Sequence, residues 1–317
     1  MTLDDQDPRT SFLHGLDIEA CRVEFSAQQV VLLCGGKVEY GAHPGSSAKS
    51  LRDAIAREFP SFELFRPEEI TSWHSDGIFA DLVSFEKELA SICSLIVIIL
   101  ESEGALVELG AFSQLPELSE KIVAIRASKF ASDPSFINLG IIRFITTKSP
   151  NSSVVKSYPW EIMDPTTISS EITGDVISDI QEALAEQGKT KTLKITNNSH
   201  VIVLICEFLR LFMALKENEI HYYLTSLGIK NSRHQLRGQL FLLTEFKLIK
   251  KQEYSDSVFY MRSNQPYHKL RVVMKDKNYY FDHLRFSAQC SEFYLSNAEN
   301  HRNRNRAIAL AKKGATT

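Results

Sequence analysis

The apolar residues in the first half of the chain fall into short continuous runs. Four of these runs have the composition of strands, at 29–34, 62–65, 94–100 and 121–126. The run at 94–100, SLIVIIL, is apolar throughout, as expected of a strand that is buried on both faces. Between the runs the apolar residues recur at helical spacing. Strand–helix repeats of this length predict an α/β fold with a Rossmann-like parallel sheet.

A polar stretch separates this region from the second half. Residues 146–174 are rich in Ser, Thr and Pro and read as a loop or linker. A helix is predicted at 174–187, and the segment that follows, 188–199, is a polar and basic connection.

The second half has a different order of elements. An apolar helix begins near His200, and a second helix at 219–227 ends in a turn at Gly228. A longer helix follows at 232–246. Two strands, LIKKQEY and VFYMRS, are then joined by the tripeptide SDS. Helix, turn, helix and β-hairpin in this order predict a winged helix-turn-helix domain.

These patterns divide the chain into three parts. At 317 residues it is longer than one core usually organises. We expect a catalytic domain at 1–160, a helix and linker at 161–198, and a winged-helix domain with a basic C-terminal tail at 199–317.

Composition limits the cellular setting. Hydrophobic residues make up 44% of the chain, but the apolar stretches 95–100 and 201–215 are too short or too interrupted by charge to span a membrane. The acidic N-terminus lacks the apolar segment of a signal peptide. Five widely spaced cysteines predict reduced thiols in the cytoplasm. No CxxC pair or Cys/His cluster indicates a metal, so neither a metal nor a membrane contact is expected.

The charge is distributed unevenly. Residues 1–185 hold 14 basic and 28 acidic residues, whereas residues 186–317 hold 22 basic and 11 acidic ones. A basic second half favours contact with a polyanion. The alternative is that opposite charges help two halves, or two subunits, to dock.

Two stretches that follow predicted strands suggest a ligand pocket. Gly35 and Gly36 follow the first strand, and ESEGALVELG follows the strand at 94–100. The carboxyl ends of parallel strands meet at one edge of the sheet, where glycines let a ligand approach the backbone and helix amides favour an anion. Glu108 would point from its helix towards this pocket. Its alternative role is that of a helix N-terminal acid stabilised by the helix dipole.

Four motifs follow one another in the first half of the chain: LLCGG (32–36), FRPEEI (65–70), ESEGALVELGAFS (101–113) and SFINLG (135–140). In this order and spacing they resemble the nucleoside 2-deoxyribosyltransferase fold. More narrowly, the first half is similar to the deoxyribosyltransferase-like toxins, or effectors, encoded beside bacterial retron reverse transcriptases.

The resemblance implies a role for Glu108. In the transferase family the glutamate before LG attacks the sugar C1′, and that position is Glu108 here. A second acid usually lies six residues earlier and handles the base. Ser102 occupies its place, between Glu101 and Glu103. This departure disfavours base exchange between deoxyribonucleosides and fits cleavage of a glycosidic bond completed by water.

Two further substrate-binding residues follow from the resemblance. The family's asparagine near the end of the domain reaches into a neighbouring subunit's pocket. Asn138 holds that position, which implies at least a dimer. Glu86, in SFEK, is a candidate for a further acid in the pocket.

The resemblance also implies a function. Cleavage of an N-glycosidic bond builds positive charge on the sugar, which a carboxylate can stabilise or attack. A nicotinamide leaves as a neutral molecule and needs little protonation, so the serine at position 102 is less damaging for NAD than for a nucleoside. The expected function is that of an anti-phage retron toxin that hydrolyses NAD, with NAD as substrate and no cofactor. The alternatives are a nucleoside or deoxynucleotide hydrolase, a deoxyribosyltransferase, and a non-enzymatic DNA-binding regulator that senses a nucleotide.

The partners expected from this resemblance are the retron reverse transcriptase and its multicopy single-stranded DNA (msDNA), which would keep the toxin silent. Arg233 and Arg237 lie on the polar side of the helix that would enter a groove. The basic tail adds Arg302, Arg304 and Arg306. The alternative for the winged helix is docking to protein alone.

Overall fold

The structure is a computed structural model in which the chain forms two compact units. One unit contains Ala27–Ser75 and Ala80–Gly188, and the other contains Met1–Ser26, Asp76–Phe79 and Lys189–Thr317. The residues that the structure describes are 7–39, 43, 46–58, 60–70, 77–148 and 154–313.

A five-stranded parallel sheet forms the centre of the first unit. Four strands lie at the predicted apolar runs, but the fifth, at 155–158, lies in the stretch 146–174 that was predicted as a loop or linker. Its order is β3-β2-β4-β5-β6, so the chain moves from β2 to one edge and then, from β4, to the other. The carboxyl ends of β2 and β4 therefore flank the point where the order reverses, which is the usual ligand position in such sheets. The strands are β2 (Val30–Cys34), β3 (Glu63–Phe65), β4 (Leu95–Ile99), β5 (Ile122–Ala127) and β6 (Val155–Tyr158).

Helices cover the sheet. Leu51 and Ile55 of α2 and Val176 and Ile180 of α7 belong to one apolar core with alternate residues of the strands. On the sheet, α3 contacts β2 and α4 contacts β4, and both helices contact α5. The helices of this unit are α2 (Leu51–Arg57), α3 (Leu82–Ile92), α4 (Glu103–Ser113), α5 (Pro116–Ser119), α6 (Arg143–Lys148) and α7 (Ser170–Glu186).

The second unit contains two three-stranded antiparallel sheets, in the orders β11-β1-β7 and β8-β10-β9. Its strands are β1 (Arg22–Glu24), β7 (Thr190–Thr192), β8 (Ala214–Leu215), β9 (Ile249–Tyr254), β10 (Ser257–Arg262) and β11 (Lys269–Arg271). Its helices are α1 (Pro8–Gly15), α8 (Asn198–Phe212), α9 (Glu217–Ser226), α10 (Arg233–Glu245), α11 (His283–Ser296) and α12 (Arg302–Lys313).

The predicted order of helix, turn, helix and hairpin is present in α9, α10, β9 and β10. The turn at Gly228 has a φ of 76°, a left-handed conformation that glycine adopts without steric cost. A third strand, β8, extends the hairpin sheet by pairing with β10.

The boundaries of the units differ from the three predicted parts. Helix α7 lies in the predicted linker but packs against α2 and the sheet, so the first unit extends to Gly188. Residues up to Ser26 join the second unit because β1 pairs with β7 and β11. Among the described residues, no helix combines the length and the apolar character that a membrane crossing requires.

Candidate active site and basic surfaces

The glycines after β2 lie against the protein's own side chains. The Gly36 amide donates a hydrogen bond of 3.0 Å to Glu101 Oε1. A Cβ on Gly36 would lie 2.9 Å from Ser50 Cβ, and one on Gly35 would lie 3.1 Å from Ile99 Cβ. These close approaches explain both glycines. The Gly36 amide is already bonded to the carboxylate of Glu101. The predicted approach of a ligand to Gly35 and Gly36 stays a prediction.

Glu101 fixes the start of α2. Its carboxylate accepts hydrogen bonds from the amides of Gly36, Leu51 and Arg52 at 2.9–3.0 Å. Burial raises the pKa of Glu101, although the three amides oppose that shift. No function was predicted for Glu101 from the sequence, where its one signal is its place directly after a buried strand.

Ser102 caps α4. Its Oγ accepts a hydrogen bond from the Ala105 amide at 3.2 Å, and its hydroxyl donates to the Gly35 carbonyl at 2.9 Å. The residue in place of the family's second acid therefore starts the helix and ties it to the glycine loop. Ser102 also lines a cavity at the ends of β4 and β5.

A cluster of acids lies beside Cys34, at the end of β2. It contains Glu86 of α3, Glu108 of α4 and Glu68, from the turn Pro67–Glu69. The guanidinium of Arg52 forms a two-pronged ion pair with Glu68, with distances of 2.5 and 2.8 Å. Because this pair largely neutralises itself, Glu86 and Glu108 remain as two carboxyls in a partly desolvated place.

The surroundings shift the pKa values of both remaining acids upwards. Burial and the charges of Glu108 and Glu68 raise the pKa of Glu86 to about 7, against the opposing effect of Arg52. Burial also raises the pKa of Glu108, while a hydrogen bond from the Cys34 thiol lowers it in part. The Oε2 atom of Glu108 is buried and has no hydrogen-bond partner among the described residues. Neighbouring acids whose pKa values are raised by burial are typical of catalytic sites.

A cavity of about 370 Å³ lies on another side of α4. Its size suits a small molecule, but neither Glu86 nor Glu108 lines it. The lining residues are Leu100, Glu101, Ser102, Glu103, Leu106, Arg126, Phe130, Asp133, Ser135, Ile137, Asn138, Ile162 and Met163.

Asn138 organises one wall of this cavity. Its amide nitrogen donates to the carbonyls of Phe130 and Asp133 at 2.7 and 2.8 Å, and its Oδ1 accepts from Arg126 at 2.6 Å. These bonds hold the turn before the π-helix Ile137–Ile142 within the same chain. The role of Asn138 in a neighbouring subunit stays a prediction.

The predicted nucleic-acid-binding arginines separate into two groups. Arg233, at the start of α10, is exposed, as are Arg302 and Arg306 of α12. Arg237 is 62% exposed on its side chain and pairs with Glu217 at 2.9 Å. These four side chains of the second unit are therefore accessible to a binding partner.

The prediction that Arg304 contacts nucleic acid is wrong. Its side chain is buried and bonds to Glu219 at 2.5 Å, and Glu219 also pairs with Arg9 at 2.9 Å. Arginines two residues apart lie on opposite sides of a helix, so Arg304 faces inwards where Arg302 and Arg306 face solvent. Burial alone would raise the pKa of Glu219, but Arg304 and Arg9 hold it below its usual value.

The fold and the site together define a class of protein. This is an α/β protein with coupled carboxyls at the reversal point of a parallel sheet, joined to a unit with exposed arginines. Residues 48–251, more than half of the chain, match the family described as STM3845 retron effector protein. The chain belongs to this family of retron effectors.

Two relatives from Escherichia coli are similar to parts of the chain. The "Retron Ec73 putative ribosyltransferase/DNA-binding protein" is 26% identical over 174 residues, which is 53% of this chain and 55% of the relative. The "Retron Ec86 putative ribosyltransferase/DNA-binding protein" is 35% identical over 120 residues, which is 36% of each chain. The matches thus span about half of the first relative and about a third of the second.

Proposed function

We propose that this retron effector cleaves the N-glycosidic bond of a nucleotide, with NAD as the substrate. The observation that carries the proposal is the pair formed by Glu108, with its unpartnered Oε2, and Glu86, with a pKa raised to about 7 by burial and neighbouring acids. The names of both relatives include ribosyltransferase, which agrees with chemistry at a sugar carbon.

The two acids would divide the reaction between them. As the bond from C1′ to the base nitrogen breaks, its electron pair leaves with the base, and Glu108 stabilises or attacks the positive sugar. Water then adds to C1′ and passes its proton to a base. Glu86 is suited to accept it because its pKa lies near neutral. The nicotinamide of NAD leaves neutral, so no acid is needed at Ser102, whose hydroxyl is occupied in capping α4.

Substitution of Glu108 tests this function. We expect Glu108→Gln to reduce base release at least about a thousandfold, because the amide keeps the shape but not the charge that the transition state needs. Purified protein would be incubated with NAD and, separately, with nucleosides and deoxynucleotides, and the products separated by chromatography. The unfolding transition of the variant checks that the fold survives.

Glu120→Gln is the matched control, since Glu120 is an exposed acid in the same unit. Undiminished turnover of Glu108→Gln contradicts the assignment of Glu108. Base release from nucleosides or deoxynucleotides but not from NAD favours the hydrolase alternative. Base transfer to a second base, without net hydrolysis, favours the transferase.

The regulator alternative receives less support from the structure. A protein that only senses a nucleotide needs no carboxyl at the sugar, yet Glu86 and Glu108 are retained in a desolvated place that raises both pKa values. Proteins keep such unfavourable arrangements mainly at functional sites.

We further propose that the second unit holds the effector against the reverse transcriptase and its msDNA, which silence it. Helices α9 and α10 and the β9–β10 hairpin would act as a winged helix, with Arg233 exposed at the start of α10. The names of the relatives include DNA-binding, which agrees with this role.

A further inference from the structure

In the sheet β11-β1-β7 of the second unit, strands β11 and β1 have one buried and one open face, whereas all three residues of β7 are exposed. Val23 of β1 and Leu270 of β11 are paired in register and fully buried. Side chains alternate between the faces of a strand, so the neighbours of these residues lie on the opposite, outer face. The outer face consists of Arg22, Glu24, Thr190, Thr192, Lys269 and Arg271.

Two arginines stand directly opposite each other on this outer face. Arg22 is the register partner of Arg271, and both are exposed. Like charges directly opposite across an antiparallel pair are destabilising. None of the ion pairs found within the described part of the chain includes Arg22, Lys269 or Arg271.

The neighbouring residues on the outer face neutralise little of the charge of Arg22 and Arg271. Glu24 is the register partner of Lys269 and Thr190. One acid thus faces three basic residues, and β7 contributes only threonines to the outer face. An anion with regularly spaced charges would relieve the repulsion without any rearrangement of the sheet.

An aromatic pair adjoins the basic face. Tyr267 and His268 stack with ring centroids 4.5 Å apart, directly before Lys269. With Lys269, Arg262 and the ion pair of Arg210 and Glu207 they line a small cavity of about 50 Å³, which is too small for a nucleotide. Basic side chains beside aromatic rings are the combination that single-stranded nucleic acids recognise, because phosphates contact the charges and bases contact the rings.

We propose that the outer face of β11-β1-β7, with the adjoining Tyr267, binds the phosphate backbone of a single-stranded nucleic acid. The proposal rests on the nucleic-acid role proposed for the second unit, but it assigns a surface outside α10. The pair Arg22 and Arg271 is its centre, and Lys269 leads from the sheet to the aromatic pair.

The test is binding of a labelled, mixed-sequence single-stranded oligodeoxynucleotide to the full chain across a salt series. The double variant Arg22→Gln/Arg271→Gln removes the charge pair. We expect binding about tenfold weaker at low salt, and a salt slope smaller by about 1.4 units, because each single-strand phosphate contact contributes about 0.7.

Two companion variants and one stability measurement make the result specific. Arg22→Lys/Arg271→Lys retains the charges and should retain the salt slope. Arg285→Gln removes an exposed charge of α11 and should leave binding unchanged. The thermal stability of the double glutamine variant should equal or exceed that of the original chain, because repulsion is removed.

Each remaining outcome decides between the proposals. If Arg233→Gln weakens binding and the double glutamine variant does not, the sheet surface is refuted while the role of α10 stands. If the original chain does not bind the oligonucleotide, the sheet surface is refuted, whereas the role of α10 is decided by binding to the complex of reverse transcriptase and msDNA. If an unlabelled duplex of equal length competes as well as the single strand, the assignment to single strands is overturned.

Discussion

Glu86 and Glu108 differ from ordinary acids on the surface of a helix. On the surface of a helix a carboxylate normally faces water, yet both are partly buried, and the charge of Glu108 helps to raise the pKa of Glu86. The fold holds this pair at a cost in stability, because desolvation disfavours the charged forms. Replacing one of these acids by a neutral residue should remove this cost, and the change in the free energy of unfolding can be measured.

We predict that Glu86→Gln stabilises the protein above neutral pH. Burial, Glu108 and Glu68 raise the pKa of Glu86 from 4.5 to about 7 in the folded chain. Between these values the folded chain holds more protons than the unfolded chain, so the contribution of Glu86 to the free energy of unfolding falls as pH rises. Glutamine mimics the neutral acid and escapes this loss.

The measurement is denaturant unfolding of both proteins at pH 5 and at pH 8. The variant should gain stability relative to the original chain at pH 8, and less at pH 5. Glu120→Gln, an exposed acid, should show no such dependence. An equal difference at both pH values means that Glu86 has an ordinary pKa.

At the scale of elements, helix starts depend on groups that lie far away in sequence. Helix α2 begins at Leu51, where Ser50 and the carboxylate of Glu101 accept hydrogen bonds from the first amides. Helix α4 begins at Glu103 because Ser102 caps it. The first backbone amides of a helix need hydrogen-bond acceptors, so the position of the available acceptors decides at which residue the helix begins.

Phe79, in the segment before α3, packs against Gly238 of α10. Phe79 and Gly238 belong to the same compact unit, and a Cβ on Gly238 would lie 2.8 Å from Phe79 Cε1. Phe79 also forms an edge contact with Phe241, with ring centroids 6.2 Å apart. The glycine is therefore required by packing, although glycine weakens the interior of a helix.

We predict that Gly238→Ala destabilises the protein by about 1–3 kcal/mol, because the methyl group overlaps the buried ring. Urea unfolding provides the measurement. Gly174→Ala is the control: this glycine of α7 has open space around its Cβ position, so alanine should stabilise by about 0.5–1 kcal/mol. Gly238→Ala/Phe79→Leu should recover part of the loss, and equal effects at both glycines would contradict the packing argument.

At the scale of the whole molecule, charge separates along the chain. The balance of 22 basic to 11 acidic residues in 186–317 contrasts with the acidic first half. Arg304 is buried against Glu219 of the same half, so this pair leaves the basic excess unchanged. The exposed arginines Arg233 and Arg237 remain available for a polyanionic partner.

We predict that Arg233→Glu/Arg237→Glu weakens capture by the purified complex of reverse transcriptase and msDNA. Loss of two phosphate contacts should lower the salt slope of binding by about two units. The exposed pair of Arg237 with Glu217 adds little stability, so the fold should persist. Base release by the free variant should be unchanged, and in cells the variant should be harmful even with its inhibitor present.

The measurement is binding to the complex across a salt series, alongside turnover of NAD. Arg285→Glu serves as the control for net charge. Unchanged binding with an unchanged salt slope means that this unit docks to protein, and the charge asymmetry then has another cause.

Local patterns alone determined four of the five strands of the parallel sheet and the helix that carries Glu108, whereas β6 lies in a stretch that reads as a loop. Strands such as β4 are continuous apolar runs, because both of their faces are buried, and such runs are visible without any knowledge of partners. The motifs of the first half likewise indicated the retron effector family, to which the chain belongs.

Only the tertiary structure decided the remaining features. The strands β1, β7 and β11 are three residues each, polar on the outside, and pair across more than a hundred positions of sequence, so no local pattern marks them. The capping role of Glu101 and the inward position of Arg304 likewise depend on partners that are distant in the chain. A polar side chain has the same local sequence whether it faces water or a buried counter-charge, and long-range packing alone chooses between them.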